Sequence, residues 1–319
     1  MLRVVVLAEP DDTSLRLLQA VDAGVRFHVG QDAVALADQA PDAEALLYCT
    51  GGRERLEAAF TRLLRLRWVH SRWAGLDGLL FPALAESPVV LTNSRGVFSR
   101  ALAEFAIGAI LHFAKDFARM RRQQAARRWE PFVVEEIGGR SLGIVGYGDI
   151  GRAVAERGKA LGMRILAMRR RDVASDGLVD EAFAPEERLG LVARSDAVVL
   201  ALPLTDETRG LFGAREIAAM KPSAVLVNVG RGPTLDEPAL VAALQARRIR
   251  GAALDVFAEE PLPRDSPLWD LDNVLVSPHT ADRTTTWLDE AMAVFLDNLG
   301  RFRAGRPLRN VVEDKRRGY

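Results

Sequence analysis

The chain has 319 residues, 49% hydrophobic and 27% charged, enough for about two domains with substantial cores. Lys+Arg and Asp+Glu both number 43, so no net field gathers nucleic acid or an acidic membrane, and neither is expected as a partner. The single cysteine, Cys49, excludes an internal disulfide framework, and no apolar run approaches the roughly 18 residues of a membrane span, so a cytoplasmic protein is expected.

The N-terminal run Leu2–Ala8 is too short for a signal-peptide core and suits a buried first strand. Through residue 92, apolar runs at Val4–Leu7, Val25–Val29, Ala45–Tyr48, Trp68–His70 and Val89–Leu91 predict strands. Amphipathic segments at Ser14–Ala20, Ala33–Ala37 and Arg53–Leu66 predict helices between them. Such alternation indicates a parallel sheet flanked by helices. Cys49 ends one of these runs, where a buried, inert thiol is expected.

After a turn-rich stretch, a long helical pattern runs from about Arg100 to Arg128. Its first half is apolar nearly all round (Leu102, Phe105, Ile107, Ile110), which predicts burial on more than one side. Its second half is basic (Arg119, Arg121, Arg122, Arg127, Arg128) and reads as a solvated or intersubunit end.

Ser141–Gly151 then gives a strand, a glycine turn and a helix start. Gly146 lets the chain turn, Gly148 lets the backbone approach a pyrophosphate, and Gly151 lets helix pack on strand. Asp149 and Ile150 open the helix, whose N-terminus offers free N–H groups and a positive dipole to phosphates. Strands follow at Arg164–Ala167, Ala197–Leu200, Ala224–Val229, Gly251–Leu254 and Val274–Val276, with helices at Asp149–Leu161 and Glu237–Ala246. With Leu142–Val145 these make six strands, a complete doubly wound domain. A last helix, about Thr284 to Arg303, comes too late to extend that sheet and is expected on the first domain. The fold class is therefore α/β, with two doubly wound parallel-sheet domains. A Rossmann cofactor domain (95–282) is inserted into a discontinuous, flavodoxin-like substrate domain (1–94 and 283–319).

A dinucleotide fingerprint is normally followed, about 20 residues on, by a carboxylate that holds the ribose 2′-hydroxyl. Here Arg169, Arg170 and Arg171 stand at that strand end, with Asp172 beyond them. A guanidinium cannot accept a hydroxyl hydrogen bond but suits a 2′-phosphate, which favours NADP, with NAD as the alternative. Four polar segments follow buried strands: Pro203–Thr208, Asn228–Gly232, Asp255–Pro261 and Ser277–Ala281. In an open α/β sheet these strand ends gather beside the ligand. Arg231 offers a planar fork for a carboxylate, His279 a proton donor or acceptor, and Glu260 a partner for its imidazole. No resident metal is expected.

These motifs resemble the D-2-hydroxy-acid dehydrogenases over nearly the whole chain. They include Ala103-Glu-Phe-Ala106, the fingerprint, Pro203 to Phe212, Val227 to Gly232, Ala253 to Pro263 and Ser277 to Ala281. Ala74-Gly-Leu-Asp77 looks like the family's substrate-carboxylate loop. The resemblance implies that Arg231 binds the substrate carboxylate and polarises the keto group. It implies that His279 protonates the carbonyl oxygen, that Glu260 pairs with His279, and that the N–H groups of Ala74 and Gly75 hold the carboxylate. Asp255 would meet the nicotinamide carboxamide, and Pro203, Leu204 and Thr208 would lie along the cofactor. Family members bind between two domains that close on the ligand and dimerise through the cofactor domain, so a homodimer is expected.

Two departures stand out. Arg169 replaces the aspartate of NAD-using members, as in many glyoxylate and hydroxypyruvate reductases. Asp282 stands where many members carry glycine, so the substrate cannot simply be copied across. The expected activity is NADPH-favoured reduction of a small 2-keto acid to its D-2-hydroxy acid. The alternatives are a D-3-phosphoglycerate dehydrogenase-like enzyme and a non-enzymatic, NAD(P)-sensing binding protein. Trp73, Trp129 and Trp287 could wall the pocket, with core or interface packing the plainer reading of each.

Overall fold

In this computed structural model, which describes residues 1–169 and 176–316, the early apolar runs become strands β1 (Leu2–Leu7), β2 (Val25–Gly30), β3 (Ala45–Tyr48), β4 (Trp68–Ser71) and β5 (Val90–Asn93). Helices α1 (Ala33–Gln39), α2 (Gly52–Phe60) and α3 (Pro82–Glu86) connect them, and Thr13–Ala20 is 3-10 rather than α-helical. β3 and β4 are buried at every position, which is why they read as unbroken apolar runs rather than alternating ones. All pairings are parallel and the order is β2-β1-β3-β4-β5, so the order reverses between β1 and β3.

The chain continues with α4 (Ser99–Ala114), α5 (Phe117–Ala125), β6 (Ser141–Val145), α6 (Asp149–Ala160), β7 (Arg164–Met168) and β8 (Glu181–Phe183). Then come α7 (Arg188–Arg194), β9 (Ala197–Leu200), α8 (Ala214–Ala219), β10 (Val225–Asn228), α9 (Glu237–Gln245), β11 (Gly251–Leu254) and β12 (Val274–Val276). This second sheet is also wholly parallel, ordered β12-β11-β10-β9-β6-β7-β8. Its strand order reverses between β6 and β9, the place where doubly wound sheets bind ligands.

The last helix, α10 (Trp287–Arg303), returns to the first sheet. Met292, Phe295 and Leu299 are buried against Val4, Val6 and Trp68, and the Phe295 and Trp68 rings stack with centroids 5.3 Å apart. The chain thus divides into two compact units, Met1–Val97 with Thr284–Tyr319, and Phe98–Arg283.

Three expectations need correction. The second sheet has seven strands rather than six, because β8 is a three-residue edge strand, buried only at Phe183, that leaves little apolar signal. The long helix is two helices. Asp116 breaks it at φ +50°, and its carboxylate accepts from the Arg119 N–H at 3.0 Å, capping α5. An aspartate tolerates this left-handed geometry and substitutes for the backbone acceptor, so helical periodicity carries on across the break. Finally, α2 stops at Phe60 rather than Leu66, with the Thr61 hydroxyl donating to the Glu57 carbonyl at 3.0 Å.

Candidate active site

β6 is buried through Val145 and ends in Gly146 at φ +105°, where a Cβ would lie 2.7 Å from the Ala201 carbonyl oxygen. A Cβ on Gly151 would come within 2.2 Å of the Gly146 carbonyl oxygen, so only glycine lets α6 sit this close to the turn. Gly148 is different: a Cβ there would meet nothing within 4 Å, and no side chain caps the helix start behind it. Open space in front of the uncapped N-terminus of a 12-residue helix fits a dinucleotide pyrophosphate. Asp149 and Ile150 form the first turn of that helix.

At the end of β7, Arg169 is half-buried and its N–H donates to the Phe183 carbonyl at 3.1 Å. The Tyr147 N–H donates to the Met168 carbonyl at 3.2 Å, which brings the fingerprint turn beside Arg169. Arg170, with Arg171 and Asp172, lies outside the described residues. The Tyr147 hydroxyl donates to Asp176 Oδ2 at 2.8 Å, and Arg152 Nε lies 3.2 Å from the same oxygen. Burial, followed by the bond to Asp176, pushes the Tyr147 phenol well above its ordinary range, so it remains a donor. Asp176 carries no motif and stands 29 residues from Tyr147, so the sequence gives no sign of this pairing.

Beyond β11 and β12, Glu260 and His279 meet, with His279 Nδ1 2.7 Å from Glu260 Oε2. An ionised carboxylate can only accept, so Nδ1 carries the hydrogen and Nε2 is the ring atom left for other chemistry. The other Glu260 oxygen, Oε1, accepts from the Phe257 N–H at 2.9 Å, which fixes the carboxylate from both sides. His279 itself has φ +51°, unfavourable for a residue with a Cβ. The surrounding loop holds it there. Asp255, 1% exposed, accepts through Oδ1 from Ser277 Oγ (2.6 Å) and from the Thr280 and Ala281 N–H groups (3.0 Å each). Asp255 therefore anchors the histidine loop, a role that spacing alone does not reveal.

Arg231 follows β10 and is half-buried, its Nη1 donating to the Gly230 carbonyl at 2.9 Å. The glycines on either side lock its loop against its neighbours. A Cβ on Gly230 would lie 2.7 Å from the Leu202 carbonyl oxygen, and one on Gly232 only 1.7 Å from that of Phe257. The Arg231 loop thus packs on the residue whose N–H holds Glu260. Pro203 is exposed and Leu204 half-buried in the loop after β9. The Thr208 hydroxyl is engaged in folding that loop, donating to the Pro203 carbonyl at 2.6 Å and accepting from the Thr205 N–H at 2.8 Å.

A family model for the D-isomer specific 2-hydroxyacid dehydrogenase, NAD binding domain, matches residues 107–281, from α4 through the histidine loop. The chain belongs to the D-isomer specific 2-hydroxyacid dehydrogenases. This dehydrogenase is 35% identical to the glyoxylate/hydroxypyruvate reductase B of Shigella boydii over 323 residues, covering 96% of this chain and 95% of that one. The D-isomer specific 2-hydroxyacid dehydrogenase of Xanthobacter autotrophicus Py2, solved with NADPH and MES, is 33% identical with a TM-score of 0.85, over 99% of both chains. An NADPH-dependent glyoxylate/hydroxypyruvate reductase of Sinorhizobium meliloti, solved with NADP and sulfate, is 25% identical with a TM-score of 0.84, over 100% of both chains.

In the first unit of the dehydrogenase, Ala74 and Gly75 follow β4. Their N–H groups donate to no described residue, while the Ala74 carbonyl is tied down by Asn93 Nδ2 at 2.8 Å. Just before them, Arg72 is buried, paired with Asp12, and lies 5.7 and 5.5 Å from the ring centroids of Trp73 and Trp287. Those two tryptophans pack on each other at 5.2 Å, whereas Trp129 of the second unit is 95% exposed. Cys49 is fully buried, which pushes its thiol up to about 12 and keeps it from acting as a nucleophile near neutral pH. Among the described residues no His/Cys/Asp/Glu group could hold a metal, and no helix is long and apolar enough to cross a membrane.

Proposed function

We propose that this dehydrogenase reduces a small 2-keto acid of the glyoxylate or hydroxypyruvate type to the D-2-hydroxy acid, with NADPH as the favoured cofactor. The observation that carries the reading is the Glu260–His279 pair at 2.7 Å, held beside the Arg231 loop by the close approach of Gly232 to Phe257. When bound at Gly146, Gly148 and Gly151, the nicotinamide cofactor supplies the hydride that reduces the carbonyl carbon. The rest falls to this chain's own side chains. The Arg231 guanidinium pairs with the substrate carboxylate and draws electron density toward the keto oxygen. His279 gives a proton from Nε2 to that oxygen, and Glu260 stabilises the imidazolium before the proton leaves. The N–H groups of Ala74 and Gly75 are proposed to bind the substrate carboxylate as well. Asp255 is proposed to reach the carboxamide end of the cofactor through Oδ2, since Oδ1 is engaged by the histidine loop.

Arg169, and Arg170 with it, are proposed to receive the 2′-phosphate of NADP, with Pro203, Leu204 and Thr208 along the cofactor. The NADPH and NADP held by the Xanthobacter and Sinorhizobium neighbours support this choice. The test follows NADPH and NADH oxidation with glyoxylate, hydroxypyruvate, pyruvate and phenylpyruvate. Turnover with at least one of these acids, faster with NADPH at equal concentration, is the expected result. No turnover with any of them contradicts the enzyme reading, and faster turnover with NADH contradicts the role of Arg169.

A homodimer through the second unit is also proposed, in a reducing, cytoplasmic setting that suits a single buried cysteine. Trp129 and Val133 are each 95% exposed, and Phe117, Met120 and Val134, near them in sequence, are exposed as well, apolar side chains that a second copy would cover. Sedimentation velocity should report a dimer at micromolar concentration; a monomer there would contradict the assignment.

A further inference from the structure

This inference rests on the 2-keto-acid reading above. Asp282, three positions past His279, has no part in the chemistry described so far. It lies in a tight turn closed by the Arg283 N–H donating to the Thr280 carbonyl at 3.0 Å. That turn is pinned, because Asp255 Oδ1 holds the N–H groups of Thr280 and Ala281. The Asp282 carboxyl is half-buried, within electrostatic reach of His279, Asp255 and Arg283. It forms no ion pair and no hydrogen bond with another described residue, since His279 already has Glu260 as its carboxylate partner. Burial raises its pKa from the ordinary value, the attraction of His279 opposes the shift, and the charge of Asp255 adds to it.

A half-buried carboxylate without a donor has acceptor capacity left for a ligand. This one stands three residues past the histidine proposed to meet the keto oxygen, on a turn that Asp255 pins, and within electrostatic reach of that histidine. We propose that Asp282 selects substrates by charge, accepting a hydrogen bond from a hydroxyl on the carbon beyond the keto group and repelling a carboxylate or phosphate there. Like charges a few ångströms apart in a partly desolvated site change affinity by roughly ten- to a hundredfold. Small 2-keto acids whose distal group is neutral or hydroxylated are thus admitted, and dianionic ones are turned away.

The test compares kcat/KM for oxaloacetate and hydroxypyruvate, with NADPH saturating, in the wild type, Asp282→Asn and Asp282→Ser. The ratio of oxaloacetate to hydroxypyruvate should rise about tenfold or more in both variants, mainly through KM. Asp282→Glu, which keeps the charge, should retain the wild-type discrimination. A ratio unchanged in both neutral variants overturns the role of Asp282, whatever happens to absolute rates, and leaves the reductase reading intact. A wild-type protein inactive on every 2-keto acid overturns that reading, and this inference with it.

Discussion

Replacing His279 by alanine is expected to slow 2-keto-acid reduction by about a hundredfold or more at saturating substrate and NADPH. The magnitude follows from the geometry. With Nδ1 bonded to Glu260 at 2.7 Å, Nε2 is the one ring atom able to deliver a proton, and alanine leaves the developing alkoxide to solvent. Binding of NADPH, followed by fluorescence titration, should survive the substitution, because the glycine turn belongs to β6 and α6 rather than to the histidine loop. Glu260→Gln should do less damage, roughly ten- to a hundredfold, because the amide can still contact the ring but lacks the charge that stabilises an imidazolium. An unchanged kcat in His279→Ala would remove the histidine from the role of acid.

The second large effect is expected from Gly232→Ala, a single methyl group added to the loop that carries Arg231. Its Cβ would sit 1.7 Å from the Phe257 carbonyl oxygen and 1.9 Å from its carbon, so one of the two loops must move. Moving the β10 loop displaces Arg231; moving the Phe257 loop releases the N–H that holds Glu260. Either way kcat/KM should fall about a hundredfold, since misplacing a reacting group by about 1 Å has that consequence. Overpacking of this kind costs about 1–3 kcal/mol, which lowers the melting temperature by roughly 2–12 °C for a unit of this size. Calorimetry and kinetics on the purified variant check both parts. A variant with wild-type activity and melting temperature would mean that the two loops are not locked together as described.

The sequence carried much of this architecture because parallel strands buried on both faces leave short, dense apolar runs. β1, β3 and β9 read directly for that reason. The fingerprint glycines were legible as residue types, though not all for the same structural cause. Gly146 and Gly151 are required by close backbone contacts within the protein, whereas Gly148 borders open space left for a ligand. What escaped were features without a local signal. β8 is too short to pattern, and Asp116 interrupts a helix with a residue that suits its periodicity. The family resemblance directs Asp255 to the cofactor, while its Oδ1 oxygen serves the loop 22 to 26 residues away. Likewise, the glycine pair around Arg231 marks a tight loop, but nothing in the sequence names Leu202 and Phe257 as the backbones that approach it. Contacts between loops at neighbouring strand ends follow from sheet order, and sheet order is a property of the fold.

The measurement that tests the central claim most directly is the configuration of the product. Hydroxypyruvate should be reduced with NADPH by the wild-type protein and the resulting glycerate resolved on a chiral column. Membership of the D-isomer specific 2-hydroxyacid dehydrogenases, with Arg231 and His279 in the roles proposed above, predicts D-glycerate. L-glycerate, or a racemic product, would contradict the account.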